Sequence, residues 1–182
     1  YSGAQEYFLL PGRLHRWKRV DLAIRAMQHV KGDTPLLIAG AGEHEAEFRQ
    51  LAAGDPRIRF LGFLGDAELV QLYANALGVL FVPKDEDFGY ITVEGMLSHK
   101  PVIVCKDSGE PAVLVRHGES GFVVDPDPAL LAPLGFHVFF VLLTNLASWL
   151  ARNDRAACLT EFAVVPAGKL FEEKRQHEGS RP

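Results

Sequence analysis

A chain of 182 residues with 48% hydrophobic and 23% charged content is long enough to bury a sizeable core and is expected to form one domain with an additional tail. Its net charge of −4 excludes broad electrostatic binding of nucleic acid or anionic lipid, which needs a dense basic surface, so an anionic ligand must be held by local cations. The two cysteines, Cys105 and Cys158, stand far apart without metal-ligand spacing, which excludes a disulfide scaffold and predicts reduced thiols in a cytoplasmic protein.

The first residues, Tyr1-Ser2-Gly3-Ala4, lack an initiator Met, a basic n-region and an apolar h-region; a fragment without its native start is expected to look like this, and no signal peptide is read. Tyr7 to Leu10 is a short apolar run, and Val20, Ile24, Met27 and Val30 then recur at helical spacing. Leu36 to Ala39 is a second run, ending in Gly40-Ala41-Gly42, with Phe48 and Leu51 on one side of the polar segment that follows. Ile58 to Leu61 predicts a third strand, and Leu69, Leu72, Tyr73 and Ala76 a helix after it. Val79 to Val82 predicts a fourth strand, Tyr90 to Ser98 a helix, and Val102 to Cys105 and Gly121 to Val124 two further strands. Short apolar strands alternating with helices predict an α/β, Rossmann-like domain over 1–126, with a mostly parallel sheet covered on both faces.

In such sheets ligands lie beyond the carboxyl ends of the strands. The loop Gly12-Arg13-Leu14-His15-Arg16-Trp17-Lys18 follows the first strand and sets cations beside a helix start, an arrangement that suits a diphosphate. Arg13 and Lys18 as solvated surface charges is the bland alternative if this loop stood alone. The second element, Glu86-Asp87-Phe88-Gly89-Tyr90-Ile91-Thr92-Val93-Glu94, has two glutamates seven residues apart around a glycine at a helix entrance. Gly89 permits close backbone approach, the amides of Tyr90 and Ile91 can cap a phosphate, and Glu94 can accept from vicinal hydroxyls such as those of ribose. Taken singly, Glu86 or Asp87 is as well read as a helix cap and Glu94 as an exposed charge.

These motifs, with Leu37-Ile38-Ala39-Gly40-Ala41-Gly42, Arg59-Phe60-Leu61-Gly62 and Lys100-Pro101-Val102-Ile103 in the same order, resemble the C-terminal domain of glycosyltransferase family 4, of GT-B architecture, from Tyr7 to Pro126. The resemblance implies that this half binds the nucleotide-sugar donor of a transfer that retains anomeric configuration. It implies that Arg13 and Lys18 hold the diphosphate, Glu86 faces the donor sugar and Glu94 binds ribose, so that Arg13, Lys18 and Glu86 carry catalysis. Gly12, Gly62, Phe63, Phe88, Gly89, Tyr90 and Ile91 complete the expected donor site, with the base met by backbone near Gly62 to Leu64. No cofactor or metal is expected, and an N-terminal acceptor-binding domain is the missing partner. The implied reaction is cytoplasmic, with peripheral contact at the inner membrane face when the acceptor is lipid-linked.

Two departures stand out. Glu110 and Val113 in Lys106-Asp107-Ser108-Gly109-Glu110-Pro111-Ala112-Val113 occupy positions where relatives usually show a second Gly and a later Glu, which brings a negative charge towards the expected phosphates. After Asp127, Pro128 to Ala151 contains no charged residue. A helix packed on the domain or on its partner, a membrane span and unrelated sequence from an altered reading frame are the readings of that tail, and its apolar surface is expected to associate with something. Its end, 172–182, is charged and expected to be disordered. Glu45 stands where a dinucleotide fingerprint needs its third Gly, which sets aside a nicotinamide-dependent dehydrogenase. Asp85-Glu86-Asp87 imitates a metal-binding Asp-x-Asp but overlaps the paired glutamates, and the seven histidines show no ligand-like spacing. A nucleotide-binding module without catalysis and half of a GT-B epimerase remain as alternative functions.

Overall fold

The computed structural model describes residues 6–131. They belong to the first of two compact units, Tyr1–Leu143; the second, Thr144–Pro182, lies outside the described residues. Six strands, β1 (Phe8–Pro11), β2 (Leu36–Ala39), β3 (Ile58–Gly62), β4 (Gly78–Leu80), β5 (Val102–Cys105) and β6 (Gly121–Val124), form one sheet in the order β3-β2-β1-β4-β5-β6. Every pairing between them is parallel, with Phe8 opposite Leu36 and Gly78, and Val102 opposite Val79 and Gly121. The helices are α1 (Val20–Ala26), α2 (Glu45–Leu51), α3 (Asp66–Asn75), α4 (Tyr90–Leu97), α5 (Glu110–Leu114) and α6 (Pro128–Leu131), with short 3-10 turns at Arg16–Lys18 and Met27–His29.

The predicted doubly covered sheet is what forms, and the alternation of side chains along each strand explains it. Phe8 and Leu10 of β1 join Leu36, Ile38, Ile103 and Cys105 in one apolar cluster with Val20 and Ile24 of α1 and Phe48 of α2. Tyr7 and Leu9 face the other way, with Leu37, Val79, Val102 and Val104, against Leu72 and Tyr73 of α3. Each face is thus sealed by its own helices, which is why β1, β2 and β5 read as continuous apolar runs rather than as half-polar ones.

Element boundaries moved in two informative places. β4 ends at Leu80 rather than at Val82: the Phe81 amide still donates to the Ile103 carbonyl at 2.9 Å, but the carbonyls of Val82 and Pro83 are taken by the Arg19 guanidinium at 2.7 Å each. The helix α5 has no counterpart in the expected elements, because five residues are too few to show a helical period. The first residues of the uncharged segment form α6, and Leu131 is buried in the cluster containing Met27 of the turn after α1. The rest of that segment, the charged end at 172–182 and Cys158 lie outside the described residues. No described helix is long and apolar enough to cross a membrane.

Candidate functional site

The strand order reverses direction between β1 and β4, which opens a crevice beyond their carboxyl ends at the place where parallel sheets bind ligands. The loop after β1 is held there by its backbone. The Gly12 amide donates to the Ala39 carbonyl at 2.9 Å and the Leu14 amide to Ala41 at 3.0 Å. A Cβ on Gly40, where φ is +148°, would stand 1.9 Å from the Gly12 carbonyl oxygen. Gly40 is therefore required by the packing of two loops of this chain against each other, a nearer demand than the approach of a nucleotide. Arg16–Lys18 then makes a 3-10 turn, pinned to the loop after β4 by the Lys84 amide donating to the Trp17 carbonyl at 2.9 Å.

The paired glutamates sit at the entrance of α4. Gly89 adopts φ 72°, and a Cβ there would come within 2.5 Å of Pro111 and 2.9 Å of the Phe81 ring, so both its conformation and its surroundings exclude a side chain. The amides of Tyr90 and Ile91, at the start of α4, have no backbone partner among the described residues and point out of the helix end. Glu86 continues into a parallel bridge with Gly109. Its amide donates to the Ser108 carbonyl at 3.1 Å, and its carbonyl accepts from the Glu110 amide at 3.0 Å. Glu110, the departure noted above, is thereby fixed beside Glu86 by its backbone while its side chain is exposed.

The structure brings the two motifs together. The Lys18 ammonium donates to the Glu86 carboxylate, both side chains being about three-quarters shielded, and lies 5.5 Å from the centroid of the Phe81 ring. A Cβ on Gly12 would meet the Ile91 side chain at 3.1 Å, so the phosphate-type loop and the start of α4 are in contact. Arg13 is exposed and forms no ion pair with a described residue. Phe88 and Tyr90 are half exposed, with ring centroids 4.8 Å apart. Gly62 reaches the same end of the sheet, its carbonyl accepting from the Gly40 amide at 2.8 Å. Phe63 beside it is 85% exposed.

Three supporting groups escaped the sequence reading. Glu94 accepts a 2.7 Å hydrogen bond from the Tyr73 hydroxyl, and burial together with the Glu94 charge pushes that phenol well above its usual pKa, so it stays a donor. Tyr73 reads in the sequence as one apolar position in the period of α3, and its hydroxyl finds Glu94, the one charged residue of α4. Arg19, in a left-handed conformation at φ 49°, donates to the Asp107 carboxylate at 2.7 and 2.8 Å as well as to the two carbonyls that end β4. These bonds hold the Asp107 carboxyl below its usual pKa. Ser108, fully buried, ties the same loops by donating to the Pro83 carbonyl at 2.8 Å and accepting from the Cys105 amide at 3.1 Å. Cys105 is free and buried, its thiol pushed up to about 11 by burial.

The sequence profile of the glycosyl transferases group 1 family matches residues 2–132. The α-1,3/1,6-mannosyltransferase ALG2 of Mus musculus is 28% identical over 146 residues, covering 70% of this chain and 35% of the relative. The D-rhamnosyltransferase WbpZ of Pseudomonas aeruginosa is 32% identical over 124 residues, covering 66% and 32%. The structure of Anabaena Alr3699/HepE in complex with UDP and glucose superposes with a TM-score of 0.66 at 26% identity, covering 95% of this chain and 49% of that one. The chain thus spans about a third of the length of these curated relatives and about half of the HepE chain. The profile covers more than half of the chain, and the chain belongs to the glycosyl transferases group 1 family, of GT-B type.

Proposed function

We propose that this chain is the donor-binding half of a retaining, family 4-type glycosyltransferase, which passes a hexosyl group from a nucleoside-diphosphate sugar to a glycan or lipid-linked acceptor. The observation that carries the reading is the meeting of Lys18 with Glu86 and of Gly12 with Ile91, since it unites a cationic loop, two free helix amides and two carboxylates at one crevice. Solved HepE chains of the same fold hold UDP with glucose, and UDP-glucose.

On this reading Arg13 and Lys18 meet the diphosphate together with the amides of Tyr90 and Ile91. Glu94, held by Tyr73, takes the ribose hydroxyls. Glu86 faces the sugar, and the base lies against backbone at Gly62 to Leu64 and beside the exposed Phe63. When the bond from the anomeric carbon to the diphosphate breaks, negative charge grows on the leaving oxygens, so fixed cations stabilise the transition state more than the bound donor. Loss of one such group typically lowers rate by roughly 100 to 1,000-fold. The acceptor hydroxyl belongs to a separate domain, and closure of the two halves excludes water, so this chain alone binds donor and transfers little. Surface-glycan assembly on the cytoplasmic face of a membrane is the setting this reading favours.

The test is calorimetric titration of the chain with UDP, GDP and ADP, beside folded Lys18→Ala and Glu94→Ala variants. The expected result is binding of one nucleotide, weakened by both substitutions. Failure of the chain and of a two-domain protein containing it to bind any of the three, or binding that neither substitution changes, overturns the proposal.

A further inference from the structure

We propose that His15, Glu43 and His44 form a site for a divalent metal ion of the zinc class, built on residues other than those assigned to the donor. His15 lies in the loop after β1, while Glu43 and His44 lie in the turn that enters α2, so the sequence separates residues that the sheet brings to one place. His15 Nε2 is 2.7 Å and His44 Nδ1 is 3.5 Å from the same carboxylate oxygen of Glu43, and the three ligand atoms all lie within 4.8 Å of one another. Zinc bonds of about 2.0–2.1 Å in a tetrahedron set ligand atoms about 3.3 Å apart, so small side-chain shifts bring this trio onto one ion. Two imidazoles and a carboxylate are the donor set that borderline ions such as Zn²⁺ and Co²⁺ favour over Mg²⁺ or Ca²⁺.

An independent observation points the same way. His44 Nδ1 is buried and has no hydrogen-bond partner among the described residues, a state that costs the desolvation of a polar atom unless something binds it. A metal supplies the missing interaction. Three protein ligands leave a position open, and His15 and His44 also line a cavity of about 500 Å³ with Arg16, Trp17, Arg19 and Lys84. The ion would therefore carry water or an anionic group of a small ligand in that cavity.

Occupancy reaches the turn that bears Lys18. In the metal-free arrangement His15 Nδ1 accepts from the Trp17 amide at 3.3 Å, which leaves the ring proton on Nε2 towards Glu43. Metal at Nε2 displaces that proton, and with the ring N–H now at Nδ1 the Trp17 amide turns to water, an easy exchange for a residue 66% exposed. The Trp17 ring stacks on His15 with centroids 6.3 Å apart, so its fluorescence reports the event directly.

The experiment uses the whole chain, stripped with a chelator and titrated with Zn²⁺ and Co²⁺ in the absence of nucleotide, so that its outcome is independent of donor binding. Stoichiometry is read by calorimetry, geometry by the visible bands of Co²⁺, and proximity by quenching of Trp17 in a Trp149→Phe background. One ion per chain is expected, with Trp17 quenched. Removing a direct ligand should weaken binding by at least the roughly 10 to 100-fold that loss of an outer-shell partner costs. His15→Ala, Glu43→Gln and His44→Ala should therefore each show it, and the exposed His29→Ala should not. Glu43 is 65% exposed, so Glu43→Gln decides the matter even where an imidazole variant folds poorly. Absence of stoichiometric binding, or affinity unchanged in Glu43→Gln, overturns the proposal.

Discussion

Lys18 and Arg19 are consecutive cations with opposite expected roles, and substituting each separates ligand binding from folding. The Arg19 guanidinium makes four hydrogen bonds of 2.7–2.8 Å, two to the Asp107 carboxylate and two to the carbonyls of Val82 and Pro83, with only 17% of its side chain exposed. Arg19→Ala strands the Val82 carbonyl and the Asp107 carboxylate, while the Pro83 carbonyl keeps its bond from the Ser108 hydroxyl. Breaking a buried charge pair from one side costs about 3–5 kcal/mol. Asp107 is 39% exposed and recovers water, so the lower end, about 3 kcal/mol, applies here. That is a large part of a domain stability of about 5–15 kcal/mol. Arg19→Lys keeps the charge but not the fork that serves three acceptors, and should lose roughly 2 kcal/mol.

The backbone adds an internal control. At φ 49° a non-glycine residue carries about 1–2 kcal/mol of left-handed strain. Arg19→Gly should therefore be more stable than Arg19→Ala by about 1 kcal/mol, although both lack the guanidinium. Lys18→Ala should change stability little, because its partner Glu86 is a quarter exposed and regains water, while weakening nucleotide binding. Urea unfolding and nucleotide calorimetry on the four variants check this. Equal destabilisation by Lys18→Ala and Arg19→Ala, or an Arg19→Gly variant less stable than Arg19→Ala, refutes the reasoning.

Four further expectations follow from the same contacts. Glu86→Gln removes the carboxylate that neutralises Lys18 in the donor-free protein, so a free nucleoside diphosphate should bind several-fold tighter by calorimetry, and unchanged or weaker binding counts against that competition. Tyr73→Phe deletes the hydroxyl that holds Glu94 and should weaken nucleotide binding by about tenfold, the equivalent of one hydrogen bond to a charged group, with nucleosides lacking ribose hydroxyls losing nothing. Thr92 is fully buried in α4 with a hydroxyl that has no partner among the described residues, so Thr92→Val should raise stability by about 1 kcal/mol in urea melts and leave binding unchanged; a loss of stability there would mean that the hydroxyl has a partner. Asp55 and Asp107 are held below their usual pKa by Arg57 and Arg19. A depressed folded pKa contributes stability above the unfolded value near 3.9 and loses it as pH falls through the folded value. The urea midpoint should therefore fall below about pH 4, and less steeply in Asp107→Asn.

The sheet was legible because its information is local and periodic. β1, β2 and β5 are each a run of four apolar residues between turn signals, because parallel strands buried on both faces leave that pattern without polar interruptions, whereas the edge strand β3 carries the exposed Arg59. What lacked a local signal was lost. The end of β4 depends on Arg19, more than sixty residues away, taking the carbonyls that a longer ladder would have used. Helix α5 depends on Glu86 and Gly109 meeting across two loops, with a Cβ on Gly109 blocked by the Glu86 carbonyl at 2.4 Å.

The candidate site divides in the same way. Motif spacing singles out Gly12, Arg13, Lys18, Glu86, Gly89 and Glu94 as candidates because short loops at the ends of strands fix backbone geometry within themselves. Spacing carries no information on which side chains then pair. The lysine and glutamate expected to act separately on phosphate and sugar are bonded to each other in the structure, and the glutamate expected to face ribose is already held by a buried phenol. On the proposed reading, a donor entering this crevice competes for Lys18, while the Tyr73 bond leaves Glu94 oriented before the ribose arrives. Arg13, exposed and without an ion-pair partner among the described residues, is the cation open to first contact. Affinity at such a site is set by the difference between two paired states, and that difference becomes visible only when the fold has placed residue 18 against residue 86 and residue 73 against residue 94.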